Sequence, residues 1–102
     1  MTMYRPHRWV VIKLPERGYK VLGGWVGGYL DGDEWRLNSG ITRADREDDL
    51  WFFSGASGSV YQCHESAYGV TALSGGILKK LVDRGAVEMP EDTDWSTLEY
   101  EV

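Results

Sequence analysis

The sequence predicts an α+β fold: a curved antiparallel sheet or small open barrel of about six short strands, with one helix from the C-terminal half packed on it. Three observations carry this. Up to residue 64 the apolar residues come in short β-branched and aromatic runs bounded by turn residues. Thirteen glycines, mostly paired or beside aromatics, break those runs as a sheet with many tight turns requires. After Gly69 the apolar period lengthens, once, to that of a helix. At 102 residues, 42% hydrophobic and 13% aromatic, a single domain over 1–102 buries a core without disulfides or metals.

Residues 1–7 read as a loose arm ended by Pro6. Trp9–Leu14 is the first strand, stopped by Pro15, with Val10, Ile12 and Leu14 on one face and Trp9 and Val11 on the other. Pro15 to Gly18 supplies a turn, and Tyr19–Leu22 returns as the hairpin partner. Gly23 to Tyr29 places two glycine pairs around Trp25-Val26, the mark of a bulge, a sharp bend or a close backbone approach; a strongly bent strand is the reading adopted. Asp31-Gly32 turns the chain into a short strand, Glu34–Leu37, which Asn38-Ser39-Gly40 breaks. Ile41–Arg43 starts another strand, and Ala44–Asp49 reads as an exposed charged turn.

The stretch at the centre is Asp49 to Gly69, two strands, Leu50–Ser54 and Ser59–His64, joined by a glycine-rich turn. The remaining chain covers or extends this hairpin. The 8–70 body is followed by a helix over 71–85: Leu73, Ile77, Leu78, Leu81 and Val82 share helical spacing, Thr71 or Ser74 caps the start, and Gly85 ends it. Gly75 and Gly76 weaken its first turn, or permit tight contact with the sheet. Ala86–Met89 is a last short strand. The acidic tail, 90–102, is pinned by Trp95, Leu98, Tyr100 and Val102, with an edge strand at Thr97–Glu101 whose open side leaves room for a homodimer.

The chemistry legible here is sparse. His7, Cys63 and His64 are the only soft metal ligands, without CxxC or HxxxH spacing, and Cys63 and His64 point to opposite faces of a strand. No metal and no cofactor is expected. A lone cysteine in a strand reads as a small core residue, and a cysteine nucleophile with His7 or His64 as base is the enzyme alternative. Ser54 to Ser59 (SGASGS) lies between two strands and leads into no helix, so it is a turn and not a nucleophile elbow or phosphate loop. The carboxylates of Asp31 to Glu34 and Asp45 to Asp49 sit in polar turns, ionised, unlike a sheltered acid/base pair.

Charge narrows the partners. The formal net charge is −5, which repels phosphate backbones on average and disfavours nucleic acid. Arg5, Arg8, Lys13, Arg17 and Lys20 make the first fifth basic, whereas no Lys or Arg follows Arg84. Glu91, Asp92 and Asp94 therefore form an acidic surface suited to a basic protein partner. Five tryptophans and six tyrosines exceed what one small core encloses with ease. Trp25, Tyr29, Trp35, Trp51, Tyr61 and Trp95 join the three carboxylates as candidate protein-binding residues. The same aromatics on a sheet could stack single-stranded bases, the second alternative. One cysteine and no long apolar run point to a cytoplasmic protein without membrane contact.

Arg8-Trp9-Val10-Val11, Gly24-Trp25 with Gly27-Gly28-Tyr29, Trp35 to Ile41, Gly58 to His64 and Tyr68-Gly69 resemble a family of small phage- and prophage-encoded proteins without known function. The resemblance spans residues 8–70 and implies context, not chemistry. Small phage accessory proteins often bind and block a host protein, here one of defence or nucleic-acid processing. The expectation is a non-catalytic binding module or inhibitor.

Overall fold

The computed structural model describes residues 2–27 and 32–100. Over these described residues the fold is α+β, with eight strands in two four-stranded sheets, one helix and no closed barrel. The strands are β1 (Met3–Tyr4), β2 (Arg8–Leu14), β3 (Gly18–Trp25), β4 (Glu34–Leu37), β5 (Ile41–Glu47), β6 (Leu50–Gly55), β7 (Val60–His64) and β8 (Val87–Glu88); α1 is Ala72–Asp83. One sheet has the order β1-β7-β6-β5, with β1 parallel to β7; the other is antiparallel, β4-β3-β2-β8. The alternation along β2 explains the layering. Trp9 and Val11 face the other sheet, meeting Ile41, Trp51, Phe53, Tyr61 and Cys63, while Val10 and Ile12 face α1 and pack with Leu22, Leu78 and Ala86. A strand buried on both faces is what makes Trp9 to Ile12 a continuous apolar run.

Several boundaries differ from expectation, each for a local reason. The loose arm is tied down: Met3–Tyr4 pairs with Val60–Tyr61, Pro6 is buried, and His7 N–H donates to Gly24 O at 3.0 Å. β5 runs on to Glu47 where an exposed turn was expected, because an edge strand can hold charges on its solvent side while Ala44 packs on the core. The turn is only Asp48-Asp49, with Asp48 at φ 55°. The glycine pair Gly23-Gly24 lies inside β3, where the pairing register with both neighbours runs on without a bulge. Its role is close approach: a Cβ on Gly24 would sit 2.7 Å from Ser74 Oγ and 2.9 Å from Thr71 Oγ1. The tight helix contact thus uses the sheet's glycine, not Gly75 or Gly76. The far end of the expected bent strand, Gly28 and Tyr29, lies outside the described residues.

The helix begins and ends as its sequence dictates. Thr71 and Ser74 form a reciprocal capping box, with Ser74 N–H donating to Thr71 Oγ1 at 3.1 Å and Thr71 N–H to Ser74 Oγ at 2.8 Å. At the other end Gly85 takes φ 105°, with Ala86 N–H donating to Leu81 O and Gly85 N–H to Val82 O, both arms of a Schellman motif. Among the described residues no helix is long and apolar enough to cross a membrane.

The tail is the largest departure. Thr97–Tyr100 form no strand; a short 3-10 turn spans Trp95–Thr97, and Glu101 lies outside the described residues. The open edge proposed for a dimer is therefore missing over 97–100. Trp95 is 1% exposed and stands in the core between the sheets, its ring 5.9 Å from that of Trp9 and 5.8 Å from Tyr68. Tyr100 packs on Tyr19, and its hydroxyl donates to Trp95 O.

Candidate functional site

The open end of the β6–β7 hairpin and the acidic tail enclose a cleft of about 630 Å³. The hairpin brings Trp51 and Glu65, β5 brings Arg46, and the tail brings Glu91, Asp92, Asp94 and Trp95. Four carboxylates thus face one guanidinium, over a floor of Trp9, Trp51, Tyr68 and Trp95. Arg46 lies 5.5 Å over the Trp51 ring and forms an ion pair with Glu65. Asp94 accepts from Ser96 N–H at 3.1 Å and Ser96 Oγ at 2.6 Å. Those two hydrogen bonds, with Arg46 nearby, hold its carboxyl below the usual aspartate range, so it is charged at any neutral pH.

Of the residues singled out from sequence, Trp51, Trp95, Glu91, Asp92 and Asp94 meet at this cleft, though not as expected. The carboxylates are exposed. Trp51 and Trp95 are 5% and 1% exposed, wall rather than protruding anchors. Tyr61 is also buried, between the sheets, and Trp25 is half-buried with its Nε1 donating to Arg5 O at 3.0 Å. These three and Trp25 are withdrawn as exposed contacts. Among the described candidates, Trp35, at 44% exposure on the edge strand β4, is the one aromatic that stands in solvent, away from the cleft; Tyr29 lies outside the described residues. Sequence reasoning missed Arg46 and Glu65. Arg46 lay inside the stretch read as a turn, and only pairing with Trp51 across β5–β6 sets it over that ring. Of the described candidate aromatics, all but Trp35 pack inward or are half-buried, which leaves a base-stacking surface one exposed ring among them.

The cysteine alternative has no geometry behind it. Cys63 is 0% exposed and burial pushes its thiol well above the ordinary value. His64, on the opposite face, has Nε2 2.8 Å from Asp49 and Nδ1 accepting from Ser66 N–H. His7 Nδ1 accepts from Val26 N–H at 2.9 Å. Native protein is expected to react with a thiol reagent only as fast as it opens, with labelling accelerated by subdenaturing urea. Rapid native labelling would restore the nucleophile. Among the described residues no three His, Cys, Asp or Glu side chains are grouped to hold a metal ion.

Comparison with protein families, curated proteins and solved structures returns no match to this chain.

Proposed function

We propose that this chain is a non-catalytic binding protein whose acidic cleft takes an arginine- or lysine-bearing segment of a partner protein. One observation carries the reading: Arg46 already occupies part of the cleft as a partner's arginine would, over Trp51 and against Glu65. Around it Glu91, Asp92 and Asp94 carry charge that Arg46 does not neutralise. A desolvated aromatic wall with a carboxylate rim binds a guanidinium through its face and its edge together. The resemblance to phage-encoded proteins supports a host protein as the partner and blockage as the outcome. A host protein that handles nucleic acid presents the kind of basic surface that this cleft complements.

A titration with an arginine-rich peptide tests it. Saturable binding is expected, weakening as salt rises, with the glutamate-rich counterpart not binding. Charge reversal of Glu91 and Asp92 together (E91K/D92K) is expected to reduce affinity by more than about tenfold with the fold intact. Equal binding of both peptides, or an unchanged affinity in the double variant, would overturn the reading.

A further inference from the structure

The opposite end of the same hairpin holds a second cleft, of about 340 Å³, with the reverse chemistry. It is lined by Lys20, Arg36, Asn38 and the three hydroxyls of Ser39, Ser57 and Ser59, beside the Tyr4 and Tyr61 rings, which pack on each other at 5.0 Å. No carboxylate lines it, in a chain whose net charge is −5. Neither Lys20 nor Arg36 forms an ion pair among the described residues.

Asn38 is the decisive residue. It is 4% exposed, and its backbone N–H and side-chain Oδ1 continue the β3–β4 ladder, donating to Val21 O at 3.0 Å and accepting from Val21 N–H at 2.9 Å. Those bonds fix which way the amide points. Nδ2 is left with no hydrogen-bond partner, the only such buried side-chain atom among the described residues. A buried donor without an acceptor is costly and rare. Nδ2, Ser39 Oγ and the Ser59 carbonyl meet over Gly55, where an added Cβ would lie 3.5, 3.0 and 3.5 Å from them.

The other donors are arranged to the same end. Ser39 Oγ accepts from Ser57 N–H at 2.9 Å and donates to Ser57 Oγ at 3.1 Å; Ser57 Oγ in turn donates to Ser59 Oγ at 3.4 Å. Each hydroxyl has one proton, so the chain ends on Ser59 with its proton unspent. Arg36 lies 4.5 Å over the Tyr4 ring, which leaves the guanidinium edge for a two-pronged contact. Burial pushes the Tyr61 phenol up to about 12, against the opposing pull of Arg36, so it remains a protonated donor.

From this constellation of two cations, an orphaned buried amide and a terminal hydroxyl, we infer that the cleft is a binding site for a phosphate monoester. Two positive charges match the dianion, and the volume takes a phosphate with a small substituent, not a polymer backbone. SGASGS is thus a turn, as its position between strands dictates, whose hydroxyls serve an anion held by cations from other strands. This differs from a phosphate loop, which works through backbone amides at a helix N-terminus.

Nuclear magnetic resonance of the whole chain, titrated separately with inorganic phosphate, phenyl phosphate and a phosphoserine peptide, tests the site. Saturable shifts are expected at the Ser57 and Ser59 amides and the Asn38 side-chain amide, with acetate binding at least about tenfold more weakly. Arg36→Gln, on an exposed edge-strand position, should weaken phosphate by about tenfold or more. Asn38→Asp keeps the Oδ1 acceptor but replaces the donor with negative charge, and should abolish binding. Tighter binding of the peptide identifies a modified side chain as the source, and of phenyl phosphate a free small molecule. Absence of saturable shifts with all three probes, or an Arg36→Gln variant that binds like wild type, would overturn the site.

Discussion

Replacing Trp95 with alanine is expected to destabilise the protein by about 3–5 kcal/mol, the cost of truncating a fully buried aromatic. Trp95 belongs to a stretch that composition alone marks as an acidic tail, yet it is 1% exposed and its ring contacts those of Trp9, Phe53 and Tyr68. Removing it opens a cavity beneath the cleft, while the backbone carbonyl that accepts from the Tyr100 hydroxyl is unchanged, so the loss reads the ring alone. A domain of this size holds roughly 5–15 kcal/mol in total, so one such loss takes a large share. Urea denaturation of Trp95→Ala beside Asp92→Asn separates the two faces of the tail. The exposed carboxylate should move stability by less than about 0.5 kcal/mol. A loss below about 1 kcal/mol in Trp95→Ala would mean that the tail is not part of the core.

This pair of neighbours shows where the sequence was legible. Alternation gave the faces of WVVIKL and of the β6–β7 hairpin, because a period of two is fixed by the pleat whatever the tertiary context. Caps gave both ends of α1, since Thr71, Ser74 and Gly85 act through their own backbone neighbours. What local rules could not supply was contact at long range. Trp95 reads both as a pin for the tail and as an exposed contact when its neighbours are Asp92, Asp94 and Ser96; only the gap between two sheets decides for burial. Met3–Tyr4 reads as a loose arm because the strand it joins lies 57 residues later in the register. The two clefts are the same case. Arg46 and Asp94, or Arg36 and Ser59, are brought together by the hairpin's two ends, and no spacing in the chain announces either pair.

A second large effect is expected at Tyr68, where one hydroxyl does the work of a missing rung. Its O–H donates to Met89 O at 2.5 Å and accepts from Val11 N–H at 3.2 Å, bridging β2 to the segment after β8. Val11 is 0% exposed, so Tyr68→Phe strands a buried N–H and a carbonyl at once, at a cost of about 2–3 kcal/mol. The same burial produces a pH signature. Desolvation pushes the phenols of Tyr68 and Tyr61 up to about 12, from 10.0 in the unfolded chain, and raises Tyr100 in the same direction. A group whose folded pKa lies above its unfolded value contributes fully below the unfolded value and loses that contribution as pH climbs toward the folded one. The buried Cys63 thiol, raised from 9.0, starts the loss above about pH 9; from about pH 10 each such tyrosine adds a fall of about 1.4 kcal/mol per pH unit until about pH 12. Tyr68→Phe is less stable at neutral pH but has one fewer phenol to titrate, so its curve should fall less steeply and the gap to wild type should close above pH 10. Urea titrations from pH 8 to pH 11.5 measure both curves; if they stay parallel, the Tyr68 hydroxyl is not the buried bridge between Val11 and Met89.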